Sequence, residues 1–436
     1  MVKLSKYNVY VESSDEMIIF NMISRALILI NKDEFDIIRD NPKASIIDEK
    51  TNTALQKNSI LVSKNLNEED VLLYNINRWK HNHKVLSIFI SFTSQCNLKC
   101  SYCYQDSSNK KNTFLSLDNW RIIFSHIKRK MTAHGIREIS IVLFGGEPTL
   151  NIDILVQAVK DLHSLRTKDT SINMALITNG TLINNDKLMN IINKINMIQI
   201  TLDGVKDIHD KRRVYCTGLG TFDIIINNLI LLREHYNNDI LIRCNADKEN
   251  FESIKKLFNY FRQESLFDLI TGVDIGHVYS SQENIKKNKC ETLLSKEGDE
   301  RIKELFEYAA SKGYRISRNY VNGPCMGLAI NGYAIDENLN IYSCPGFLYE
   351  EPEGLIDNNG EMKIIHNRWF EIINEVPYQC LSNCKYVPIC YGGCRWMAKE
   401  GNSKCNKEFY DRHLKDYLKM YVKANYGDKI EKGKLC

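Results

Sequence analysis

Residues 85–103 read V-L-S-I-F-I-S-F-T-S-Q-C-N-L-K-C-S-Y-C, an apolar run followed at once by three closely spaced cysteines. Cys96, Cys100 and Cys103 have the spacing C-x3-C-x2-C. Three thiolates in so short a loop can bind three irons of a cubane [4Fe–4S] cluster, whose usual complement is four cysteines. The fourth iron then has no protein ligand. The spacing therefore predicts a cluster that reacts with a bound molecule as well as transferring electrons.

Two other uses of clustered cysteines fit this loop less well. Structural zinc usually takes four protein ligands in tetrahedral geometry, and the next cysteine after Cys103 is Cys216. A disulfide framework would leave one of the three cysteines unpaired. Residues 1–14 are polar and contain no apolar signal-peptide core. We therefore expect a cytoplasmic protein, in which disulfides are rare.

The composition predicts a globular protein of two or three domains. Of the 436 residues, 43% are hydrophobic and 26% are charged, which is an ordinary balance for packed domains. No run of eighteen apolar residues occurs, so no membrane-spanning helix is predicted. The net charge of +4 is spread over interleaved acidic and basic residues, which does not indicate nucleic-acid binding.

From residue 85 to about 313, short apolar runs alternate with amphipathic patterns whose apolar residues recur every three or four positions. Parallel strands need such crossover helices between them. The pattern therefore predicts an α/β fold, specifically a partial (β/α)6 TIM barrel. The predicted strands cover residues 85–93, 139–144, 172–178, 195–202, 240–245 and 269–279. The predicted helices cover residues 117–131, 154–162, 186–192, 222–232, 254–261 and 297–312.

A separate motif follows each of the first four predicted strands. After the cysteine loop come Gly145-Gly146-Glu147-Pro148, Thr178-Asn179-Gly180 and Thr201-Leu202-Asp203-Gly204. Each of the three, taken alone, is also an ordinary turn sequence. In a parallel barrel, however, the reactive loops follow the carboxyl ends of the strands. The shared position predicts that all four motifs belong to one site.

The segments on either side of the barrel have different patterns. Residues 1–78 predict a small α+β unit, with strands at 7–11, 17–21, 26–30 and 60–62 and helices at 32–39 and 67–78. This unit either caps the barrel or is a winged-helix-like module that binds a peptide by strand addition. After residue 320 the chain becomes turn-rich, and residues 325–405 contain seven cysteines. We expect too little apolar periodicity there to build a core without metal sites.

The cysteine spacing, the aromatic Tyr102 before the last cysteine and the Gly-Gly-Glu-Pro turn resemble the signature of the radical S-adenosylmethionine (SAM) superfamily. This resemblance implies that the amino and carboxylate groups of SAM occupy the open iron. It also implies that reductive cleavage of SAM gives a 5′-deoxyadenosyl radical, which makes the chain an enzyme.

The same resemblance implies which residues bind SAM. They are Tyr102, Gly145, Gly146, Glu147, Pro148, Thr178, Asn179, Thr201, Asp203, Arg213 and Arg243. The two glycines allow a ligand to approach the backbone closely, and Glu147 offers an acceptor for the methionine end of SAM. Thr201, Arg213 and Arg243 are expected to contact SAM or substrate. For both arginines, an ordinary ion pair is the alternative.

The tail motif Cys384-x5-Cys390-Tyr391-Gly392-Gly393-Cys394 resembles the C-terminal SPASM domain of some radical SAM enzymes. Members include anaerobic sulfatase-maturating enzymes and maturases of ribosomally made peptides. The resemblance implies two auxiliary [4Fe–4S] clusters, and thus three clusters in the protein. The outer one would be held by Cys380, Cys384, Cys390 and Cys405, and the inner one by Cys325, Cys344 and Cys394.

Three departures from the family pattern refine this expectation. Cys380 and Cys384 are spaced C-x3-C, whereas the family usually has C-x2-C, which makes the role of Cys380 less certain. No extra cysteine lies just before Cys325, so the inner cluster is expected to keep an open iron, with Cys290 as the reserve ligand. Pro345 follows Cys344, where sulfatase-maturing enzymes have an aspartate base. Sulfatase maturation is therefore disfavoured.

We expect a peptide maturase that installs a thioether or carbon–carbon cross-link in a ribosomally made precursor peptide. The expected domains are a leader-binding module at 1–80, the barrel at 81–315 and the SPASM domain at 316–436. The implied partners are the precursor with its leader and a flavodoxin- or ferredoxin-type electron donor. The alternatives are a maturase of a full-length protein or of a quinone-cofactor precursor, and a non-catalytic electron-transfer protein.

Overall fold

The computed structural model describes residues 2–13, 15–41, 48–103, 105, 113–278, 296–317, 321, 323–399 and 405–427. Its contacts divide the chain into two compact units. The terminal unit contains Met1–Trp79, Arg315–Cys325 and Glu375–Cys436, and the central unit contains Lys80–Tyr314 and Met326–Asn374. Each unit is built from separate stretches of the chain, and the three domains expected above stay a prediction.

The terminal unit begins with five strands and three helices. They are β1 (Val2–Leu4), β2 (Asn8–Ser13), β3 (Glu16–Asn21), β4 (Leu27–Asn31), α1 (Lys32–Asp40), α2 (Glu49–Lys57), β5 (Leu61–Ser63) and α3 (Glu68–Lys80). β2, β3 and β4 form an antiparallel sheet in that order, and β1 pairs with β5. The predicted strands and helices of this segment are present. β1 and α2 were not predicted, because each is too short or too polar to give a clear apolar period.

The three-stranded sheet is buried on both faces. Met17, Ile19 and Ile30 pack with the apolar residues of α1 and α2. Ile18 and Phe20, which alternate with them along β3, are fully buried as well. Because successive side chains of a strand point to opposite faces, this sheet needs packing partners on both sides.

The central unit contains a ten-stranded sheet, and the six strands that correspond to the predicted ones are parallel neighbours within it. These are β6 (Val85–Ser91), β7 (Glu138–Phe144), β8 (Ser171–Thr178), β9 (Met197–Thr201), β10 (Asp239–Ala246) and β11 (Gly272–His277), and they lie in chain order across the sheet. Each overlaps a predicted strand. The predicted α/β class with a parallel sheet is therefore confirmed.

Helices connect these strands. They are α4 (Leu117–His134), α5 (Ile152–Ser164), α6 (Asp186–Met189), α7 (Lys206–Arg212), α8 (Phe222–His235), α9 (Phe251–Gln263) and α10 (Lys296–Ser311). In β6, Leu86, Ile88 and Ile90 are fully buried, whereas Ser87 and Phe89 between them are partly exposed. One face of the sheet therefore packs against a core, and the other is more open and more polar.

Residues after the barrel extend the same sheet. β12 (Gly332–Ile335), β13 (Asn340–Tyr342), β14 (Gly354–Ile356) and β15 (Met362–Ile364) follow, and then α11 (Arg368–Asn374). β12 pairs in parallel with β6, and β13 to β15 continue as an antiparallel meander. The sequence analysis did not predict these strands, because each has only three or four residues.

The chain then returns to the terminal unit as four helices: α12 (Tyr378–Asn383), α13 (Val387–Cys390), α14 (Arg395–Lys399) and α15 (Lys407–Tyr426). α15 contacts β2 and β3 and buries Tyr410, Leu414, Tyr417 and Leu418. The sequence analysis did not predict α15. Tyrosines supply much of its buried face, and a search for aliphatic residues overlooks them. No helix in the described part of the chain is long and apolar enough to cross a membrane.

Truncating the buried face of α15 should destabilise the terminal unit. Leu418 is fully buried, so Leu418→Ala is expected to lower the free energy of unfolding by about 2–5 kcal/mol. The neighbouring Lys419 is exposed, and Lys419→Ala should change it by less than about 0.5 kcal/mol. Urea denaturation of both variants measures the difference. Equal stabilities would mean that α15 does not pack on the sheet.

Candidate functional site

The carboxyl ends of four parallel strands carry the four motifs identified in the sequence. The cysteine loop follows β6, Gly145 follows β7, Asn179 follows β8 and Leu202 follows β9. In parallel α/β sheets ligands bind at this edge. The predicted convergence of the motifs is therefore present in the fold.

One side of the cysteine loop is bonded to the Gly-Gly-Glu-Pro turn. The Gly146 amide donates to the Thr93 carbonyl at 2.7 Å, and the Glu147 amide donates to the Gln95 carbonyl at 2.8 Å. A Cβ on Gly146 would lie 2.2 Å from the Gln95 oxygen, and one on Gly145 would lie 2.4 Å from the Thr93 oxygen. The absence of a Cβ at these two glycines thus allows the backbone of the cysteine loop to approach closely. The sequence analysis had instead expected a ligand to approach the backbone at these two glycines.

The other side of the loop pairs with the segment after α7. The Lys99 amide donates to the Val214 carbonyl at 2.8 Å, and the Ser101 amide donates to the Arg212 carbonyl at 3.1 Å. The Cys216 amide in turn donates to the Asn97 carbonyl at 3.0 Å. Backbone hydrogen bonds on both flanks therefore hold the cysteine loop in place.

Glu147 is a fully buried clamp between β7 and β8. Its carboxylate accepts hydrogen bonds from the Thr149 amide (3.1 Å) and hydroxyl (2.5 Å), the Thr178 hydroxyl (2.8 Å) and the Asn179 amide (2.6 Å). Burial raises the pKa of this carboxyl, and the four donors oppose the rise. Pro148 begins the short 3-10 turn that Glu147 caps. Direct contact between Glu147 and SAM stays a prediction.

Asn179 connects the third motif to the cysteine loop. Its amide nitrogen donates to the Asn97 side-chain oxygen at 2.8 Å and lies 3.8 Å from the Cys96 sulfur. Its side-chain oxygen accepts from the amide and hydroxyl of Thr181, and Asn97 donates to the same hydroxyl. Asn97 and Thr181 are partners that the sequence analysis missed. The N-x-T pattern after β8 was the available signal.

Glu147→Gln should loosen this arrangement. Any orientation of the new amide points an NH2 group at one or more of the donors that now bond the carboxylate. Leaving a buried donor unpaired costs about 1–3 kcal/mol, and we expect that loss in the free energy of unfolding. Glu138→Gln, at the exposed start of the same strand, is the matched control and should be neutral. Equal urea midpoints for the two variants would show that the hydrogen bonds of the Glu147 carboxylate do not stabilise the fold.

A second buried network surrounds Tyr102. The Tyr102 hydroxyl donates to Asp203 and accepts from Arg213 at 2.7 Å and from the Asn245 amide at 3.2 Å. Burial raises the pKa of Tyr102 well above its ordinary value, so the hydroxyl stays protonated. Burial alone would lower the pKa of Arg213, but the anionic groups around it raise it. Tyr102, Asp203 and Arg213, predicted separately, are therefore brought together.

Arg212 and Asp247 extend this network and were missed by the sequence analysis. Arg212 donates to Asp247 at 2.7 Å, and its guanidinium lies 5.1 Å from the centre of the Tyr102 ring. Asn250 donates to the Asp203 carbonyl at 2.9 Å. The Asp-x-x-Asn pattern after the fifth strand was the available signal, since it occupies the same edge as the other motifs.

His209 and Asp210 support the backbone of this region. His209 Nδ1 accepts from the Asp203 amide, and Nε2 pairs with the Thr221 hydroxyl at 3.1 Å. Burial holds the pKa of His209 well below its ordinary value, and nearby arginines add to the effect. The imidazole is therefore neutral. Asp210 accepts from the amides of Thr221 and Phe222 at the start of α8.

Arg243 lies at the margin of the Tyr102 network, on β10 opposite Thr201 of β9. It pairs with Asp274 on β11 and donates to the Asn245 side-chain oxygen at 3.1 Å. Both members of the Arg243–Asp274 pair are partly exposed. The ion-pair alternative considered for Arg243 is therefore present, and contact with SAM or substrate remains a prediction.

The donor set of the cysteine loop fits an iron–sulfur cluster. The three side chains are partly buried, and the Leu98 amide donates to the Cys96 sulfur at 3.4 Å. Such bonds to sulfur tune bound clusters. Burial raises the pKa of Cys96 to about 12 and also raises that of Cys100, so cluster assembly must release protons. No group of three metal-binding side chains in the described chain could hold a single ion. In a cubane each cysteine binds a different iron.

Arg213 fits a bound carboxylate. Its Nε is buried and has no hydrogen-bond partner among the described residues. A buried guanidinium nitrogen without a partner is costly, and an added carboxylate oxygen would satisfy it. This observation is the feature of the site that best fits SAM.

Five of the tail cysteines, Cys380, Cys384, Cys390, Cys394 and Cys405, lie in or beside the short helices of the terminal unit. Burial raises the pKa of Cys390, and backbone amides of Asn406, Gly392 and Gly393 bond its sulfur and oppose the rise. Cys325 belongs to the terminal unit and Cys344 to the central unit. Cys290 lies outside the described residues.

Glu337 is a further acidic residue at the same edge of the sheet, and the sequence analysis missed it. It follows β12 and is 1% exposed. Its carboxylate accepts hydrogen bonds from hydroxyl groups, among them Ser91 at 2.6 Å and Tyr349 at 3.0 Å. No sequence motif marks this acid, because β12 itself was not predicted.

The segment that contains the three-cysteine loop matches a known protein family. Residues 90–261 match the Radical SAM superfamily, so the chain carries a radical SAM domain. A cysteine-type anaerobic sulfatase-maturating enzyme of Clostridium novyi (strain NT) is 25% identical over 349 residues, which are 73% of this chain and 90% of that protein.

Two solved structures have a similar fold. Native anSMEcpe with bound AdoMet and Cp18Cys peptide aligns with a TM-score of 0.58 at 23% identity, covering 78% of this chain and 96% of that chain. Streptococcus suis SuiB bound to precursor peptide SuiA aligns with a TM-score of 0.53 at 18% identity, covering 93% and 98%. At these identities the structural matches establish the fold alone.

Proposed function

We propose that this protein is a cytoplasmic radical SAM peptide maturase. It cleaves SAM and uses the resulting radical to install a thioether or carbon–carbon cross-link in a ribosomally made precursor peptide. The observation that carries the proposal is the extent of the SuiB likeness, which covers 93% of this chain. The uncovered 7% is too short to omit the 79-residue segment Met1–Trp79. The likeness to a structure with a bound precursor peptide therefore includes part of the N-terminal segment.

Cys96, Cys100 and Cys103 would hold a [4Fe–4S] cluster, which would supply the electron for reductive cleavage of SAM to methionine and a 5′-deoxyadenosyl radical. Arg213 binds the SAM carboxylate through its free Nε. Glu147 positions the cysteine loop through Asn179. Tyr102 fixes the orientation of Arg213, since its hydroxyl bonds both Arg213 and Asp203.

The tail cysteines hold two auxiliary [4Fe–4S] clusters in this proposal, with the ligand sets given above. Backbone amides around the Cys390 sulfur support a cluster there, because such donors stabilise a bound thiolate. Such a cluster would provide an acceptor for the electron that remains after the cross-link forms. A flavodoxin- or ferredoxin-type donor supplies electrons to the enzyme.

The N-terminal segment binds the leader of the precursor by strand addition. β2 and β4 are the outer strands of the three-stranded sheet, and β3 is bonded on both sides. Deleting the N-terminal segment would be a poor test of leader binding. β2 and β3 contact α15, which follows the tail cysteines, so a truncation would also disturb the proposed cluster domain.

The proposal predicts that replacing Cys96, Cys100 and Cys103 together by Ala removes about four irons per chain, the content of one cubane, and abolishes SAM cleavage. The reduced enzyme is incubated anaerobically with SAM and the candidate precursor encoded beside the gene. 5′-Deoxyadenosine and the peptide mass are then measured. The matched control is Cys244→Ala, since Cys244 is buried in β10 and in no motif. Persistent 5′-deoxyadenosine in the triple variant would refute the cluster assignment.

Leader binding is predicted to protect one edge of the sheet from hydrogen exchange. Strand addition bonds the outward amides of either β2 or β4, so exchange there should slow by at least tenfold when the precursor is added. The amides of β3 provide the internal control, because they already have partners within the sheet. Mass spectrometry of peptic fragments measures the amide exchange of the outer strands and of β3. Unchanged exchange in both outer strands would return the segment to a capping role.

A sulfatase-type maturase is the second candidate. It is favoured by the Clostridium novyi enzyme, since the match covers 90% of that protein. A cysteine-containing sulfatase peptide offered in the same assay separates the two. Modification of that peptide and not of the small precursor would replace the first proposal by the second.

A further inference from the structure

Glu337 belongs to a closed set of hydroxyl bonds. Its Oε1 accepts from Ser91 at 2.6 Å and from Tyr349 at 3.0 Å, and the Ser91 and Tyr349 hydroxyls lie 2.9 Å apart. Its Oε2 accepts from the Thr113 hydroxyl at 3.5 Å. The Glu337 carbonyl accepts from the Asn119 amide at 2.8 Å. Neutral side chains from three separate stretches of the chain therefore fix the carboxyl, and Asn119 holds the backbone of the same residue.

This set borders the candidate active site. β12 runs parallel to β6, with Ile335 opposite Ile90, so Glu337 follows at the same carboxyl edge as the cysteine loop. A Cβ on Gly145 would lie 3.2 Å from the Ser91 hydroxyl, so Ser91 adjoins the turn that holds the loop. The Thr113 carbonyl accepts from the Ser94 amide, two residues before Cys96.

Tyr349, the third hydroxyl residue beside Glu337, has an unfavourable backbone conformation. Its φ is +69°, a left-handed conformation that is unfavourable for a bulky residue. Residues held in such conformations cluster at functional sites. Tyr349 is only partly buried, whereas Glu337 is almost fully buried. Thr113 is also only partly buried, but its bond to Glu337 is 3.5 Å long, whereas that of Tyr349 is 3.0 Å. The Tyr349 hydroxyl is therefore the better placed of the two to pass a proton between Glu337 and a bound molecule.

The surroundings of Glu337 raise the pKa of its carboxyl towards neutral pH. The titratable groups that face it in the described structure are Asp336, on the same hairpin, and Tyr349. Burial raises the pKa of Glu337 to about 7, and Asp336 adds to the rise against the hydroxyl bonds. A carboxyl with such a pKa exchanges protons readily near neutral pH.

We propose that Glu337 accepts, through the Tyr349 hydroxyl, the proton that the peptide loses as its cross-link forms. The inference rests on the proposed function. The 5′-deoxyadenosyl radical takes a hydrogen atom from a peptide carbon, which leaves a carbon radical. That carbon bonds to the sulfur or ring carbon of a second residue, whose S–H or C–H bond breaks. The proton passes to Tyr349 as the Tyr349 proton moves to Glu337, and the remaining electron passes to an auxiliary iron–sulfur cluster.

The main test compares Glu337→Gln and Tyr349→Phe with the unsubstituted enzyme, using the candidate precursor encoded beside the gene. General base catalysis contributes about 10²–10⁴-fold, so cross-linked peptide should fall by at least 100-fold in both variants. 5′-Deoxyadenosine should stay within about threefold, because it forms before the proton is lost. The matched control is Tyr342→Phe, which removes a buried hydroxyl that bonds Asp336 in the same hairpin. It should leave the ratio of cross-link to 5′-deoxyadenosine unchanged.

The pH profile separates proton transfer from a structural role. Glu337 accepts a proton only when ionised, and its ionised fraction increases as the pH rises through about 7. Cross-linking by the unsubstituted enzyme should therefore rise across that range, and the residual rate of Glu337→Gln should not. Independently of turnover, the infrared band of a protonated carboxyl should disappear with the same midpoint and be absent from Glu337→Gln.

Several outcomes would overturn the inference. Normal cross-linking by Glu337→Gln would remove its role and leave the proposed function intact. Equal loss of 5′-deoxyadenosine and cross-link would assign Glu337 to structure alone, as would an infrared band that does not titrate near neutral pH. If the unsubstituted enzyme cleaves SAM but modifies no candidate precursor or sulfatase peptide, the proposed function fails and this inference with it.

Discussion

The arrangement of the site depends on the backbone hydrogen bonds that hold the cysteine loop on both flanks. The turn after β7 bonds one side of the loop, and the segment after α7 bonds the other. The first contact is possible only because Gly145 and Gly146 lack a Cβ, which would otherwise meet carbonyl oxygens at 2.4 and 2.2 Å. The three thiols are thus positioned by protein contacts that involve no metal. A preformed loop lowers the entropy that must be lost when a cluster binds.

Three buried carboxyls at this edge of the sheet differ in their partners, and the partners determine their chemistry. Glu147 is bonded by amides and hydroxyls on two adjacent strands, which suits a fixed clamp. Asp203 lies beside Arg212, and the Tyr102 that it bonds also binds Arg213, which suits a fixed network of ion pairs and hydrogen bonds. Glu337 is bonded by hydroxyls and faces another acid. Of the three, it is the one arranged to exchange a proton.

The sequence identifies those parts of the site that follow regular strands. The apolar runs and the motifs after them located β6 to β9 and the cysteine loop to within a few residues, because strand and motif are both local patterns. Asn97, Asp247 and Glu337 were missed since their roles depend on strand register and on neighbours far away in the chain. The short strands β12 to β15 gave no periodic signal. The role assigned to Gly145 and Gly146 was incomplete, because a close approach can be made by ligand or by backbone.

The composition of the terminal unit has a consequence for the order of events on the ribosome. β2 and β3 precede the central sheet in the chain, but α15, which contacts them, spans Lys407–Tyr426 and is translated only after that sheet. Ile18 and Phe20 are fully buried in the folded protein. The sheet face that bears them therefore stays uncovered while the whole central unit is synthesised. Nascent chains are thus exposed to aggregation and to chaperones at their N-terminal end, and the unit acquires its final packing only after the central sheet has been made.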